Sequence, residues 1–468
     1  MEKQRFDSII ITMKIKKVFL SGLFFSLALT FLCWAEDIPQ IPQFTKDDRV
    51  LIMAPHPDDE TLGAGGVIQR AMAQGARVQV VCYTNGDHNE LAFIVYEKRF
   101  TFRTGEFLYM GELRRKETIE SMTSLGLPRK DLIFLGYPDS GTMAILTQYW
   151  QSSKSYRSLM TRISKVSYPD ALSPGAPYVG ESVLKDLKTV IENFQPTKIF
   201  VSHPADTNRD HQSLYLFTRI ALWDLEGKIV QPAVYPYLIH VIGWPKPRGH
   251  HLDLALEPPK KLVGVSWQQL SLTAEEAKVK QTLVDFYKTE IEYNPPYLYS
   301  YVRKNELFGD FSEIDLENNS PGAIVWHDTA LIPDYPSGKN EQEENRQVAL
   351  SGLSYALQDK YLLVRLDLRR KLDKNLGVSM YFLGYKKNVP FEVMPKLSVG
   401  IGLLGMRIRN KTQLISVPDA QLKFEGRSLI LKLPLSVIGT PDRILSRIKT
   451  RTAKFPLDAS AWRILKIK

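Results

Sequence analysis

Short apolar runs alternate with amphipathic stretches through the first two-thirds of the 468-residue chain, and that alternation predicts an α/β fold. Arg49 to Ala54 (RVLIMA) and Arg77 to Thr84 (RVQVVCYT) read as buried strands, flanking a helical stretch from about Val67 to Gln74 that Gly75 ends. Strand, helix and strand in such close succession form a βαβ unit, which implies a parallel sheet and a right-handed crossover. A helix over Glu112–Leu125 before a strand at Leu132–Leu135, and another over Val183–Phe194 before Lys198–Ser202, continue the pattern. The expected architecture is a Rossmann-like, doubly wound, mostly parallel sheet. Two long insertions, 88–111 and 142–180, interrupt it; Tyr149, Trp150, Tyr156 and Tyr168 in the second predict a binding wall.

Near Pro321 the pattern changes. Tyr335 to Arg346 is polar and linker-like. Beyond it YLLVRLDL, GVSMYFLGY, GMRIRN and RSLILKLPL alternate with turns, as in a β-sandwich. The expected division is a leader over 1–35, an α/β domain over 36–325 and an accessory, sandwich-like domain over 326–468. In the leader, Lys14, Lys16 and Lys17 precede an apolar run from Val18 to Leu32, and Ala35 offers a small residue for cleavage before Glu36. That is the form of a signal peptide and predicts an exported protein, whether periplasmic, secreted or on the outer surface. An uncleaved membrane anchor is the alternative. With Cys33 in the leader, Cys82 stands alone and an internal disulfide is excluded.

Charge adds one expectation. Residues 351–468 hold 23 Lys+Arg against 8 Asp+Glu, a net +15 within a chain of net +10, so the preceding 350 residues are mildly acidic. A basic tail fits either an anionic polymer or membrane surface as partner, or a merely solvated face. An exported chain makes nucleic acid an unsuitable partner.

The chemistry-bearing residues follow two of the strands. His56-Pro57-Asp58-Asp59-Glu60 comes directly after the first, at the sheet edge where open α/β folds bind ligands. One imidazole and three acids can divide metal coordination from base catalysis. Helix capping would explain one Asp but not the set. His203-Pro-Ala-Asp206-Thr-Asn208-Arg-Asp210-His211 follows a later strand, so both segments can meet over one edge.

These segments resemble the hallmarks of the LmbE-like, or PIG-L-type, zinc deacetylases of N-acetylglucosaminyl compounds. Tyr83-Thr84-Asn85-Gly86-Asp87, the helix carrying Arg114, Glu117, Ser121 and Leu125, and Tyr137-Pro138-Asp139 are softer matches. The resemblance runs from about Asp48 to Phe308 and omits the tail. It implies Zn²⁺ held by His56, Asp59 and His211, Asp58 as general base, and Asp210 and Glu60 as residues that orient the ligands. It also implies an N-acetylated amino sugar or glycan as substrate, with Arg114 and Asp139 contacting it. Asn208 stands where the family has a His that steadies the oxyanion; as a catalytic residue it can donate a hydrogen bond there but cannot supply a proton, and His203 is a nearby candidate to substitute. His240 reads either as a core histidine or as a cleft residue, and Arg303 with Glu306 as a structural ion pair. Another N-acyl substrate, or a catalytically impaired glycan-binding protein, is the alternative function. Gly63-Ala-Gly65-Gly66 lacks dinucleotide-binding spacing and is followed by no such assignment.

Overall fold

The structure, a computed structural model, describes residues 38–98, 103–319, 324–333, 349–369, 376–402, 405–452 and 456–468. The leader over 1–35 and the linker-like Tyr335–Arg346 lie outside them. The expected α/β layer is present. Its strands are β1 (Arg49–Ala54), β2 (Arg77–Thr84), β3 (Leu132–Tyr137), β4 (Lys198–Ser202), β5 (Ala233–Tyr237), β6 (Val265–Ser271) and β7 (Asn305–Phe311), in the order β3-β2-β1-β4-β5-β7-β6. The first five pair in parallel; β7 and β6 close the edge antiparallel.

The helices are α1 (Asp59–Ala73), α2 (Glu90–Glu97), α3 (Thr104–Ser124), α4 (Thr142–Gln148), α5 (Gly180–Phe194), α6 (Arg209–Asp224), α7 (Ala274–Val284), α8 (Lys288–Ile291) and α9 (Pro295–Tyr299). α1 begins well before the expected Val67. It kinks at Ala64, between Gly63 and Gly65, and its glycines admit close neighbours: a Cβ on Gly63 would fall 2.3 Å from the Tyr237 ring. The insertions carry structure of their own, α2 and the start of α3 in one and α4 in the other.

The tail strands form two sheets. Leu350–Gln358, Tyr361–Leu368 and Ser428–Pro434 are neighbours in one, and Lys396–Gly402, Gly377–Tyr385 and Arg443–Arg451 in the other. Alternate residues of both, such as Leu353, Val364 and Leu431 opposite Met380, Val399 and Ile448, fill one apolar core.

A second core joins the tail to the α/β layer. Leu383, Tyr385, Phe391, Leu445, Trp462 and Ile464 are buried in the same cluster as Trp150, Phe217 and Trp223. Phe391 meets the Trp150 ring at 5.1 Å, and Lys396 Nζ lies 4.5 Å from its centroid. Residues 40–468 accordingly form one unit. A fully buried side chain of this size contributes roughly 1.5–3 kcal/mol, and a whole domain is stable by only about 5–15 kcal/mol. A chain ending at Asn319 is therefore expected to lose its cooperative melt, which calorimetry checks; a melt within a few degrees of the full chain's would contradict the shared core.

Candidate active site

The sheet order turns around between β1 and β4, which makes the space beyond their carboxyl ends the natural place for a ligand. Both chemistry-bearing segments emerge there. After β1 the backbone turns sharply into α1 through Asp58, whose φ of 113° is a conformation L-residues rarely adopt. Asp58 occupies the N-cap position of α1, yet its side chain makes no cap bond. It lines instead a cavity of about 230 Å³ together with His56, Asp59, Arg114, Asp139, Asn208, His240, Glu290 and Tyr297.

Three donor atoms converge at this place. His56 Nδ1 lies 3.2 Å from Asp59 Oδ2 and 3.3 Å from His211 Nε2, and His211 Nε2 lies 3.1 Å from the same Asp59 oxygen. All three residues are buried, and the set suits a divalent ion. Two imidazole nitrogens and one carboxylate make three protein donors, the number typical of catalytic rather than structural sites.

Each imidazole is fixed from behind by a carboxylate. Asp210 Oδ2 lies 3.4 Å from His56 Nε2, and Asp206 Oδ2 lies 3.1 Å from His211 Nδ1. Asp210 is itself held by the backbone N–H groups of Ser140 (2.6 Å) and Thr142 (3.2 Å). Such partners set the tautomer and aim of metal-binding histidines. Burial alone would lower both histidines, but Asp139, followed by Asp210 and Asp59, raises His56 well above its ordinary value, and Asp206 and Asp59 bring His211 to about 9.

Asp58 sits in a different field from Asp59. Burial and the Asp59 charge push its carboxyl well above the usual carboxylate range, against the pull of Arg114. For Asp59, burial alone would raise it, but His211 and His56 hold it well below. The backbone N–H of Asp58 donates to Glu60 Oε2 at 3.1 Å, and Tyr287 Oη donates to Glu60 Oε1. Arg114 reaches the Pro57 carbonyl at 2.9 Å, the Gly86 carbonyl at 3.1 Å, and the Asp58 and Glu290 carboxylates at 3.4 and 3.3 Å. A Cβ on Gly86 (φ 65°) would collide with that guanidinium, so only glycine fits there. Arg114 thus borders the cavity while bracing the Asp58 turn. Asp139 also borders it, accepting from the His88 N–H at 3.1 Å.

The structure places four further candidates from the sequence. Asn208 caps α6, its Oδ1 accepting from the Asp210 N–H at 2.8 Å, and it still borders the cavity. His203 does not reach the cavity. Its ring stacks on Trp267 and lies against Phe311, and its Nδ1 accepts from the Ala205 N–H at 3.0 Å. Of the two readings of His240, the cleft is the right one: it borders the cavity with its ring 4.6 Å from that of His211. Arg303 and Glu306 do not pair with each other. Glu306 accepts from Lys280 Nζ (2.6 Å) and the Gly66 N–H (2.7 Å), while Arg303 bonds the Ser300 and Pro247 carbonyls.

The fully buried His203 is held neutral, its value lowered by burial to about 4. Unfolded histidine takes a proton near 6.5, so between those values the unfolded state binds more protons and stability falls as pH drops. That stability is complete above about 6.5 and lost on passing through about 4, a difference on the order of 2 kcal/mol between pH 7 and 5. His203→Asn, which keeps an acceptor, is expected to flatten this slope in denaturant melts; an unchanged slope would assign it to other groups.

Asp206, Tyr297 and Glu290 were not among the site residues expected from sequence. Asp206 stood inside the second segment, and its spacing five before His211 was the one available signal.

The fold and the donor set define a class: a Rossmann-like α/β protein with a three-donor candidate metal centre of catalytic type at its switch point. The family model described as PIG-L, GlcNAc-PI de-N-acetylase, matches residues 51–222. A Bacillus anthracis protein described as "Probable N-acetyl-alpha-D-glucosaminyl L-malate deacetylase 2" is 31% identical over 176 residues, covering 36% of this chain and 73% of that one. A Thermobifida fusca 1D-myo-inositol 2-acetamido-2-deoxy-alpha-D-glucopyranoside deacetylase is 33% identical over 115 residues, covering 23% of this chain and 38% of its own. The N,N'-diacetylchitobiose deacetylase of Pyrococcus horikoshii aligns in three dimensions over 56% of this chain and 84% of its own, at 18% identity and a TM-score of 0.35. The chain belongs to the PIG-L family of de-N-acetylases.

Proposed function

We propose that the protein is an exported, zinc-dependent deacetylase that hydrolyses the N-acetyl amide of an N-acetylglucosamine-type sugar or glycan. The observation that carries this reading is Asp58, a buried carboxyl with a raised proton affinity, beside the converging donors His56, Asp59 and His211. The relatives that deacetylate N-acetylglucosaminyl compounds support the substrate class, and the basic, apolar leader supports action outside the cytoplasm.

His56, Asp59 and His211 would hold the ion. When bound, zinc supplies a water acidified to about pKa 7 and a Lewis acid for the amide carbonyl. Asp58, on the cavity wall beside the donor set, takes the proton of the attacking water and passes it to the departing amine. Glu60 and Arg114 keep Asp58 in its strained turn, so the base is oriented before substrate arrives. Asp210 and Asp206 hold the two imidazoles in the tautomers that leave His56 Nδ1 and His211 Nε2 as donors. Asp139 and Glu290 offer carboxylate oxygens to sugar hydroxyls, and Leu62, Ile239 and Leu298 give a short aliphatic wall suited to an acetyl methyl.

Acetate release from chitooligosaccharides, N-acetylglucosaminyl conjugates and wall glycans tests the reading. Release from at least one, with the free amine formed in equal amount, is expected. Release from none would sink it.

A further inference from the structure

Hydrolysis of an amide places negative charge on the former carbonyl oxygen, and a site that works by electrostatics needs a fixed hydrogen-bond donor there. The bordering groups are mostly unsuited to that task. Asp58, Asp139 and Glu290 are acceptors, and the Arg114 guanidinium is engaged by two backbone carbonyls and two carboxylates; Asn208 has an amide donor, but its side chain is committed through Oδ1 to capping α6.

His240 is placed differently. It follows β5, borders the cavity, and packs edge to face on His211, next to the donor set. Its backbone is fixed on both sides. The N–H groups of Ile239 and His240 donate to Asp206 Oδ2 at 3.2 and 2.9 Å, the same oxygen that lies 3.1 Å from His211 Nδ1. The His240 carbonyl accepts from the Thr207 N–H at 2.8 Å and from Thr207 Oγ1 at 3.0 Å. One carboxylate therefore positions both a donor of the metal set and the backbone that carries His240.

The tautomer follows from two tyrosines. The Tyr297 hydroxyl lies 2.9 Å from His240 Nδ1 and 3.2 Å from the Ile239 carbonyl, which already accepts from Tyr301 Oη, so the Tyr297 proton goes to the nearer Nδ1. With Nδ1 an acceptor, the ring proton belongs on Nε2. No hydrogen-bond partner for Nε2 occurs among the described residues.

We propose that the Nε2–H of His240, its tautomer set by Tyr297, is the donor that stabilises the oxyanion formed at the acyl carbon. The inference rests on the amide-hydrolase reading above. It makes His240 a catalytic residue that touches the reacting oxygen, and Tyr297 a positioning residue that acts through it.

The test compares His240→Ala, His240→Gln and Tyr297→Phe in the full chain. Turnover of an N-acetylglucosamine oligomer, zinc affinity by calorimetry, and affinity for a glucosamine methylphosphonamide, an anionic tetrahedral analogue, are measured for each. His240→Ala is expected to lower kcat by about 10²- to 10³-fold, with KM and zinc affinity little changed. Analogue affinity falls with kcat. His240→Gln, which keeps an N–H donor, recovers part of the loss, and Tyr297→Phe loses less than His240→Ala. A His240→Ala enzyme with wild-type kcat and analogue affinity would overturn the inference alone. So would a loss that tracks zinc affinity, which would make His240 a metal ligand, or one confined to KM. A wild-type chain without turnover would overturn the underlying reading as well.

Discussion

Asp58→Asn lowers amide turnover by about 10²- to 10⁴-fold, the range that general-base catalysis supplies, while zinc affinity stays close to wild type. The reason lies in how the two neighbouring aspartates are divided. Asp59 shares its Oδ2 with both histidines and is held ionised by them, as a ligand must be. Asp58 faces the cavity with its proton affinity raised by burial and by Asp59. Asparagine matches its shape and keeps the Asp58 N–H bond to Glu60, so the turn survives. It also removes a repelling charge beside Asp59, so the metal-free variant should melt no lower than wild type. Turnover and melting temperature measured on one preparation check both halves. A variant with near wild-type kcat would place the base elsewhere, with Glu290 the next carboxylate on the cavity wall.

His211→Ala abolishes tight zinc binding, and Asp206→Asn weakens it by about 10- to 100-fold, the loss expected when the group orienting a ligand is altered. His211 provides one of the three donor atoms of this set and is fully buried, so its removal leaves two donors and an empty space beside them. Asp206 touches no metal position itself. Its Oδ2 holds His211 Nδ1 and the backbone at Ile239 and His240, and its Oδ1 accepts from the Asn208 N–H at 2.8 Å. Asn keeps one acceptor but cannot satisfy all of these. Calorimetric zinc titration of the stripped proteins separates the outcomes. Wild-type affinity in His211→Ala would mean that the ion is held by the neighbouring group His56, Asp139 and Asp210 instead.

Much of the fold was legible because its strands are buried on both faces. RVLIMA, RVQVVCYT and KIFVS read as continuous apolar runs and are β1, β2 and β4 at the expected bounds. The two segments that build the site were legible for the same reason, since each directly follows such a strand. Helix starts were less so. The first helix was expected from about Val67, whereas α1 begins at Asp59 and runs through a kink at Ala64, where Tyr237 and the Glu306 carboxylate approach its glycines.

The residues that hold the site in place were hidden by distance along the chain. Tyr287, Glu290 and Tyr297 lie more than 200 positions from Asp58 and carry no local pattern. The tail left a clue that alternation alone does not use. In GVSMYFLGY the inward and outward positions alternate up to Phe382, and then Leu383, Gly384 and Tyr385 are all buried. That is where the strand leaves solvent on its outer face and meets the α/β layer.

The most direct measurement is acetate release from N-acetylglucosamine oligomers by the metal-stripped chain as zinc is returned to it. The account predicts no release without metal, activity rising in proportion to zinc up to one equivalent, and almost none at any zinc level in Asp58→Asn. Undiminished release by the stripped protein in the presence of chelator would contradict it.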